Sequence, residues 1–496
     1  MQRYVLSVDQ STQGTKAMLF DADGIPVSRV DIAHRQIINE MGWVSHDPEE
    51  IFQNLLEAVG KVIRQADIDA NLIHCMGISN QRETAVAWNL ADGKPVCDAI
   101  VWQCARAAGF CERLNRNGFG DYVKENTGIV LSPYFTAAKI AWILENVPAA
   151  RELAGNRCLG IGTIDTWLLY KLTGQYKTDF SNASRTQLFN IRSLKWDEQI
   201  CHIFGIPADS LPEVTASDSL FGDTDLGGLL KRKIPIFCIL GDSQAALFGQ
   251  NCVKPGMTKA TYGTGSSIMM NIGEQPVFSS HGLMTSVAWK YRDTVHYVME
   301  GNINYAGAVV SWLRNDLGLI ASSADTDKLA REAQQADTTY LVPAFTGLGA
   351  PYWNNEAKAI LCGMTRMTGK NEVIRAALDS IAYQIHDVVD AMSHDMGFRI
   401  PVLKADGGAT HNEYLMQFQS DLLSTQVFCS NYEELSAIGV AYMAGLAANL
   451  YTETVFDNIR YRAFSPKMSD SERSEKLEGW KEAIRMLTGT QYTHVR

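Results

Sequence analysis

Apolar blocks in the first third of the chain predict strands at Tyr4–Val8, Ala17–Phe20, Val27–Ile32 and His74–Ser79, separated by polar turns. Between the third and fourth, Ile51, Leu55, Val59 and Ile63 recur every four residues and predict a helix from Pro48 to Ala66. Its start carries Asp47 as N-cap, Pro48 at the first helical position and Glu50 at the third. A second helical pattern, Tyr134 to Glu145, stops near Pro148. The second half restarts this plan. Ile234–Leu240 reads as a strand and Ala245–Gly249 as a helix of small residues. After the loop Asn251–Gly256 come a strand near Val295–Met299 and helices at Ala306–Leu313, Glu372–His394, Asn412–Leu423 and Leu477–Leu487. Strands and helices mixed in both halves predict α/β layers.

Composition sets the scale. With 496 residues the chain can build two large domains, and the 251–256 loop divides it into 1–249 and 250–496. A hydrophobic content of 46% and a charged content of 20% suit two buried cores. The net charge of −11 argues against nonspecific nucleic-acid binding, which needs a basic surface. A locally positive site for a phosphorylated ligand is compatible with it. No apolar run reaches the roughly 18 residues of a membrane span. Asp9 interrupts any signal-peptide core, so a cytoplasmic protein is expected. The ten cysteines form no C-x-x-C pair and read as free thiols.

The chemistry concentrates at two hairpin tips. In the first, a strand ends in Asp9, followed by Gln10-Ser11-Thr12-Gln13-Gly14-Thr15-Lys16 and a second strand. Hydroxyls, free backbone N–H groups, a glycine and a cation are what a phosphate needs. Asp9 is placed to hold Mg²⁺ or its water shell. The plain alternative is an ordinary Ser/Thr/Gly turn with a capping aspartate. Far downstream, Lys259-Ala-Thr-Tyr-Gly-Thr-Gly-Ser-Ser-Ile repeats the design, which suggests a nucleotide gripped between two similar domains.

Four further segments carry a family resemblance. They are Gly77-Ile-Ser-Asn-Gln-Arg-Glu-Thr84, then Tyr134-Phe-Thr-Ala-Ala-Lys-Ile-Ala-Trp142, Gly241-Asp-Ser-Gln-Ala-Ala-Leu-Phe-Gly-Gln250, and Ala359-x-Leu-x-Gly363 leading to Glu372-Val-x-x-Ala-Ala-Leu-Asp379. Together the chain resembles the FGGY family of carbohydrate kinases from about residue 4 to residue 465, and within it the glycerol kinases. The resemblance implies two ribonuclease-H-like (actin-like) domains flanking a cleft. It implies transfer of the ATP γ-phosphate to a hydroxyl of a sugar or polyol, with Mg²⁺. It also implies a homo-oligomer, a dimer or tetramer.

Residue by residue, the resemblance makes Asp242 the general base, a role that suits a carboxylate at a strand end. The plain reading is an N-cap aspartate. Arg82 and Glu83 match the substrate-gripping pair, against the plain reading of a surface ion pair. Trp102 and Tyr134 match the pocket lining, against simple core packing. On the nucleotide side Thr12, Gln13, Gly14 and Lys16 match the first phosphate loop and Thr264 the second. Gly307, Ser311, Gly408 and Asn412 match positions around phosphate and adenosine. Lys16 stands where glycerol kinases usually carry arginine, which keeps the charge and loses the fork.

Two departures fall in the acceptor pocket. Ser243 stands where the family's glycerol kinases have glutamine, and Ser267 where they have phenylalanine. Both shorten the side chain and leave a hydroxyl, removing apolar contact worth about 1–3 kcal/mol and a hydrogen-bond partner worth about 0.5–1.5 kcal/mol. The expectation is therefore a polyol or sugar larger than glycerol. Glycerol kinase proper is the alternative. A non-catalytic sugar- and ATP-binding regulator is the rival of another class, and the retained Asp242, Asp9, Thr12 and Thr264 speak against it.

Overall fold

The computed structural model describes residues 3–489. Its frame is two mixed sheets built to one plan. In the first, strands Tyr4–Gln10, Gly14–Phe20 and Pro26–Ala33 run as an antiparallel meander. Ile73–Asn80 lies parallel to Tyr4–Gln10, and Ile234–Gly241 lies parallel to Ile73–Asn80. The second sheet repeats this. Thr258–Tyr262, Ser266–Gly273 and Thr294–Ile303 form the meander, and Val402–Asp406 and Gln426–Ser430 add in parallel. Each sheet gains antiparallel edges: Gly222–Thr224 in the first, Met284–Tyr291 and Tyr461–Phe464 in the second. The doubled three-plus-two order is the two-domain α/β architecture the sequence predicts.

Local rules account for the outer elements. Helix Pro48–Ala66 forms as the pattern requires, with the Asp47 carboxylate accepting from the Glu49 and Glu50 amides at 2.9 and 3.4 Å. Its buried stripe is Ile51, Phe52, Leu55, Ala58, Val59 and Val62, packed on the first sheet, while Ile63 lies at the margin. The helix after Ile234–Gly241 starts at Asp242, earlier than Ala245, because Gly241 is already extended and serves as N-cap.

The sequence pattern missed the helix that joins the halves. In Leu435–Ala447 every residue but Ser436 and Ala447 is buried, so no amphipathic period marks it. It belongs to the C-terminal half in sequence, yet it shares a core with Val5, Phe20, Cys75 and Leu240 of the first sheet and with the helix Asp242–Gly249. Val455 and Phe456 join that core. A split at residue 250 thus leaves 435–458 packed on the opposite half. Burying Leu435, Ile438, Met443 and Leu446 here contributes about 1.5–3 kcal/mol each.

Backbones touch at this crossing. A Cβ on Gly439 would lie 1.9 Å from the Ala245 carbonyl oxygen, and one on Gly249 would lie 2.5 Å from that of Leu435. Neither neighbour is a side chain that can swing away. Gly439→Ala is expected to destabilise the protein by about 1–3 kcal/mol, read as a lower urea midpoint. Gly109→Ala, on a helix with no atom within 4 Å of the added carbon, is expected to leave the midpoint unchanged or raise it slightly.

Candidate functional site

The acceptor-side residues gather where the first sheet's parallel strands end. Ile73–Asn80 runs out into Gln81, Arg82 and Glu83, and Ile234–Gly241 into Asp242. Opposite them, the cleft-facing side of the second sheet presents Lys259, Ser267 and Glu300. Arg82 and Glu83 are not a surface pair. They are 5% and 2% exposed, and their main partners are elsewhere. The Arg82 guanidinium forks onto Glu300, at 3.1 and 2.7 Å, and also donates to the Gln244 side-chain oxygen at 3.2 Å. Arg185 donates from Nε to Glu83 at 2.5 Å and reaches Glu300 at 2.9 Å. Two arginines and two glutamates thus form a closed, buried quartet bridging the sheets. Glu83 adopts a left-handed φ of 64°, a strained conformation for a non-glycine, held by the quartet.

The quartet sets its own ionisation. Burial would raise the Glu300 carboxyl, but Arg185 and Arg82 outweigh it and hold its pKa at about 2. Glu83 goes the other way, because burial exceeds what its arginines return. One face of Arg82 remains for the site: its Nε lies 3.2 Å from an Asp242 carboxylate oxygen. Its Nη atoms donate three hydrogen bonds, and Nε adds the ion-pair contact with Asp242.

Asp242 is not an N-cap, since that position is Gly241. One Asp242 oxygen accepts the Ser243 amide at 2.6 Å and faces Arg82. The other has no protein partner among the described residues, and the side chain is 35% exposed. Trp102 and Tyr134 stand together with ring centres 5.3 Å apart, both half-buried. Buried Lys139 anchors this wall by donating to the carbonyls of Tyr134 and Phe135. Ser267 donates to Glu300 at 3.3 Å and accepts from Lys259 at 3.5 Å.

The nucleotide-side expectations divide into two groups. Thr264, Gly307, Ser311, Gly408 and Asn412 line one cavity of ≈ 610 Å³, together with Arg314, Asp327 and His411, which sequence reasoning did not single out. Thr12, Gln13, Gly14 and Lys16 lie on the other hairpin, outside that cavity. The glycines separate by cause. A Cβ on Gly14 would meet the Ile32 carbonyl at 2.6 Å, and one on Gly307 the Gly263 carbonyl at 2.7 Å, so packing within the protein requires both. Gly408 has open space before it, as close approach of a ligand requires. Asn412 caps the helix Glu413–Leu423 and also donates to Thr326 at 2.9 Å.

Lys16 is not free. Cross-strand from Asp9, it lies 3.6 Å from that carboxylate and 2.5 Å from Glu434, which also binds Arg29 at 2.8 Å. Burial opposes the ammonium, but Asp9 and Glu434 together hold its pKa above the usual lysine value. Asp9 is itself buried, accepts from Ser79 at 2.8 Å, and is pushed up by that burial. Glu300, Arg185 and Glu434 carried no motif signal. Their roles come from partners more than a hundred residues distant.

Glu300→Gln leaves two buried guanidinium groups sharing one glutamate, so a loss of about 3–5 kcal/mol is expected. The native carboxylate's contribution is present above the ordinary glutamate range and is lost as pH falls toward about 2. Urea unfolding of both proteins at pH 7 and at low pH should therefore show the gap narrowing with acid.

Family comparison matches residues 4–249 to the N-terminal domain of the FGGY carbohydrate kinases and residues 258–448 to the C-terminal domain. Glycerol kinase 1 of Thermotoga maritima is 49% identical over 489 residues, 98% of this chain and 99% of that one. A glycerol kinase of Escherichia coli is 44% identical over 491 residues, 98% of this chain and 97% of its own. The crystal structure of Plasmodium falciparum glycerol kinase with ADP superposes with a TM-score of 0.93 at 35% identity, covering 98% of each chain. Lactobacillus acidophilus gluconate kinase, at 20% identity and a TM-score of 0.88, shares the fold. The protein is a phosphotransferase that uses ATP and an alcohol acceptor, and it belongs to the FGGY family of carbohydrate kinases.

Proposed function

We infer that this kinase phosphorylates a small polyol, glycerol first among the acceptors, with Asp242 as general base. The observation that carries the base assignment is the half-exposed Asp242 carboxylate, with one oxygen fixed by Ser243 and Arg82 and the other free. The free oxygen can take the proton from an acceptor hydroxyl as that hydroxyl attacks. Arg82 and Ser243 fix the carboxylate's orientation, so little is left to reorganise. Trp102 and Tyr134 offer an aromatic wall to the acceptor's carbon chain. The Glu83 oxygen not bound to Arg185 can accept a further hydroxyl. Glycerol takes first place because the relatives at 44–49% identity over almost their whole length are glycerol kinases.

The ≈ 610 Å³ cavity suits the nucleoside part of ATP, with the two hairpin tips toward its phosphates. Magnesium neutralises phosphate charge during transfer. Among the described residues no group of three or more acidic, histidine or cysteine side chains could hold a metal by themselves, and Asp9, near the end of its strand, is a candidate to hold one through a single carboxylate. That suits Mg²⁺, which keeps several waters and binds through one or two carboxylates plus phosphate oxygens. Asp242→Asn should lower polyol-dependent ADP release by about 10²–10⁴-fold and leave affinity for a non-hydrolysable ATP analogue within a few-fold. Retained turnover would remove Asp242 from the chemistry.

A second reading, a polyol or sugar of four to six carbons, is favoured by Ser243 and Ser267. Both are small and hydroxylated at positions toward the acceptor, and Ser267 lies in a charged cluster with Glu300 and Lys259. An ADP-release panel of glycerol, four- to six-carbon polyols and ketoses ranks the two readings by kcat/KM. If glycerol leads, the primary reading stands. If a longer acceptor leads, Ser243→Gln combined with Ser267→Phe should move preference toward glycerol by about 10-fold or more.

A further inference from the structure

One hydrogen bond crosses from the acceptor wall to the first phosphate hairpin. The Trp102 indole Nε1–H donates to the Thr12 hydroxyl at 2.9 Å. Its direction is unambiguous, because an indole nitrogen can only donate. Thr12 Oγ1 is therefore the acceptor, and its own proton is left for another group. Among the described residues nothing takes that proton. The hairpin tip is half-exposed at Thr12, so the proton is free for a ligand oxygen.

A second thread joins the same two places through the interior. The Trp102 backbone N–H donates to Thr84 Oγ1 at 3.2 Å, and Thr84 donates to Gln81 Oε1 at 2.9 Å. Gln81 Nε2 in turn donates to Gln10 Oε1 at 3.0 Å and reaches the Ser11 carbonyl at 3.4 Å. Trp102 is thus held to residues 10–12 by its main chain and by its ring edge, while its ring face stands beside Tyr134. Rotation of the ring breaks the bond to Thr12. An acceptor lying on the face opposes such rotation.

We propose that Trp102 is a positioning residue for the nucleotide: an acceptor on its ring face fixes the indole N–H, which aims the Thr12 hydroxyl proton at a phosphate oxygen. The two substrates then tighten each other's binding by the same factor, as linkage requires. This rests on the functional reading above, which places the acceptor at Trp102 and the phosphates at residues 10–16.

The test uses the full-length protein and calorimetric titration of a Mg²⁺-bound non-hydrolysable ATP analogue, with and without saturating glycerol or erythritol. Wild type is expected to bind the analogue about 5–20-fold more tightly with the polyol that it turns over. Trp102→Phe keeps a ring face and removes the N–H, and Thr12→Val removes the acceptor oxygen. In each, and in the double variant, the enhancement should fall below about 2-fold, with no further loss in the double. Thr12→Ser should restore it, which a general loosening of the hairpin would not allow. The proposal is overturned if either single variant keeps the wild-type enhancement, if the losses add in the double, or if wild type turns a polyol over with no enhancement. If wild type turns over no polyol at all, the functional reading itself fails and takes this inference with it.

Discussion

The buried quartet of Arg82, Glu83, Arg185 and Glu300 is the constraint on which the geometry around Asp242 depends. Two of its members follow the end of a first-sheet strand, one follows a short helix, and Glu300 lies within a second-sheet strand. Placing four charges at 5% exposure or less is unfavourable unless every one is paired, and here each acid meets at least one arginine within 2.9 Å. The pairing fixes the Arg82 side chain, and Arg82 in turn fixes one oxygen of Asp242. The orientation of Asp242 therefore depends on a carboxylate in the opposite sheet. The packing of the two sheets and the placing of the Asp242 carboxylate are one problem in this protein.

A shared plan lies beneath two different uses. Both sheets run three antiparallel strands followed by two parallel ones, and each has a hairpin tip at the same point of the order. The first tip carries Thr12, bonded to Trp102, and the second lines the large cavity through Gly263 and Thr264. The helix Leu435–Ala447 ties the two uses together. It packs on the first sheet with its backbone against that of Asp242–Gly249, and Ser436 donates to the Asp242 carbonyl at 2.9 Å. Glu434, just before it, holds Lys16 of the first hairpin. One segment of the C-terminal half thus touches both the Asp242 backbone and the first hairpin of the N-terminal half.

Substrate choice is where global and local signals pull apart. Identity near one half over the full length aligns the chain with glycerol kinases. Positions 243 and 267 carry serines, near Asp242 and Glu300 respectively. Whole-chain similarity is dominated by core and scaffold, which many acceptors can share. Specificity depends on a few contacts worth about 1–3 kcal/mol each. Ser267 illustrates this: its hydroxyl joins Glu300 and Lys259 in the cleft without disturbing the strand that carries it.

By itself the sequence determined the strands that open each half, the helix Pro48–Ala66, the two hairpin tips, the family, and the carboxylate at position 242. These are written in periodicity, turn chemistry and short motifs, all local properties of the chain. It also set the limits of the helix Pro48–Ala66, because capping is a matter of adjacent residues. Only the tertiary structure decided that Arg82 faces Glu300 across 218 residues, that Lys16 is held by Glu434, and that Gly14 and Gly307 answer to neighbouring backbone while Gly408 faces open space. It alone gave the almost wholly buried helix Leu435–Ala447 its place on the opposite half. The physical reason is the same throughout. A buried charge or a touching backbone is defined by what packs against it, and residues hundreds of positions apart leave no pattern that either segment carries alone.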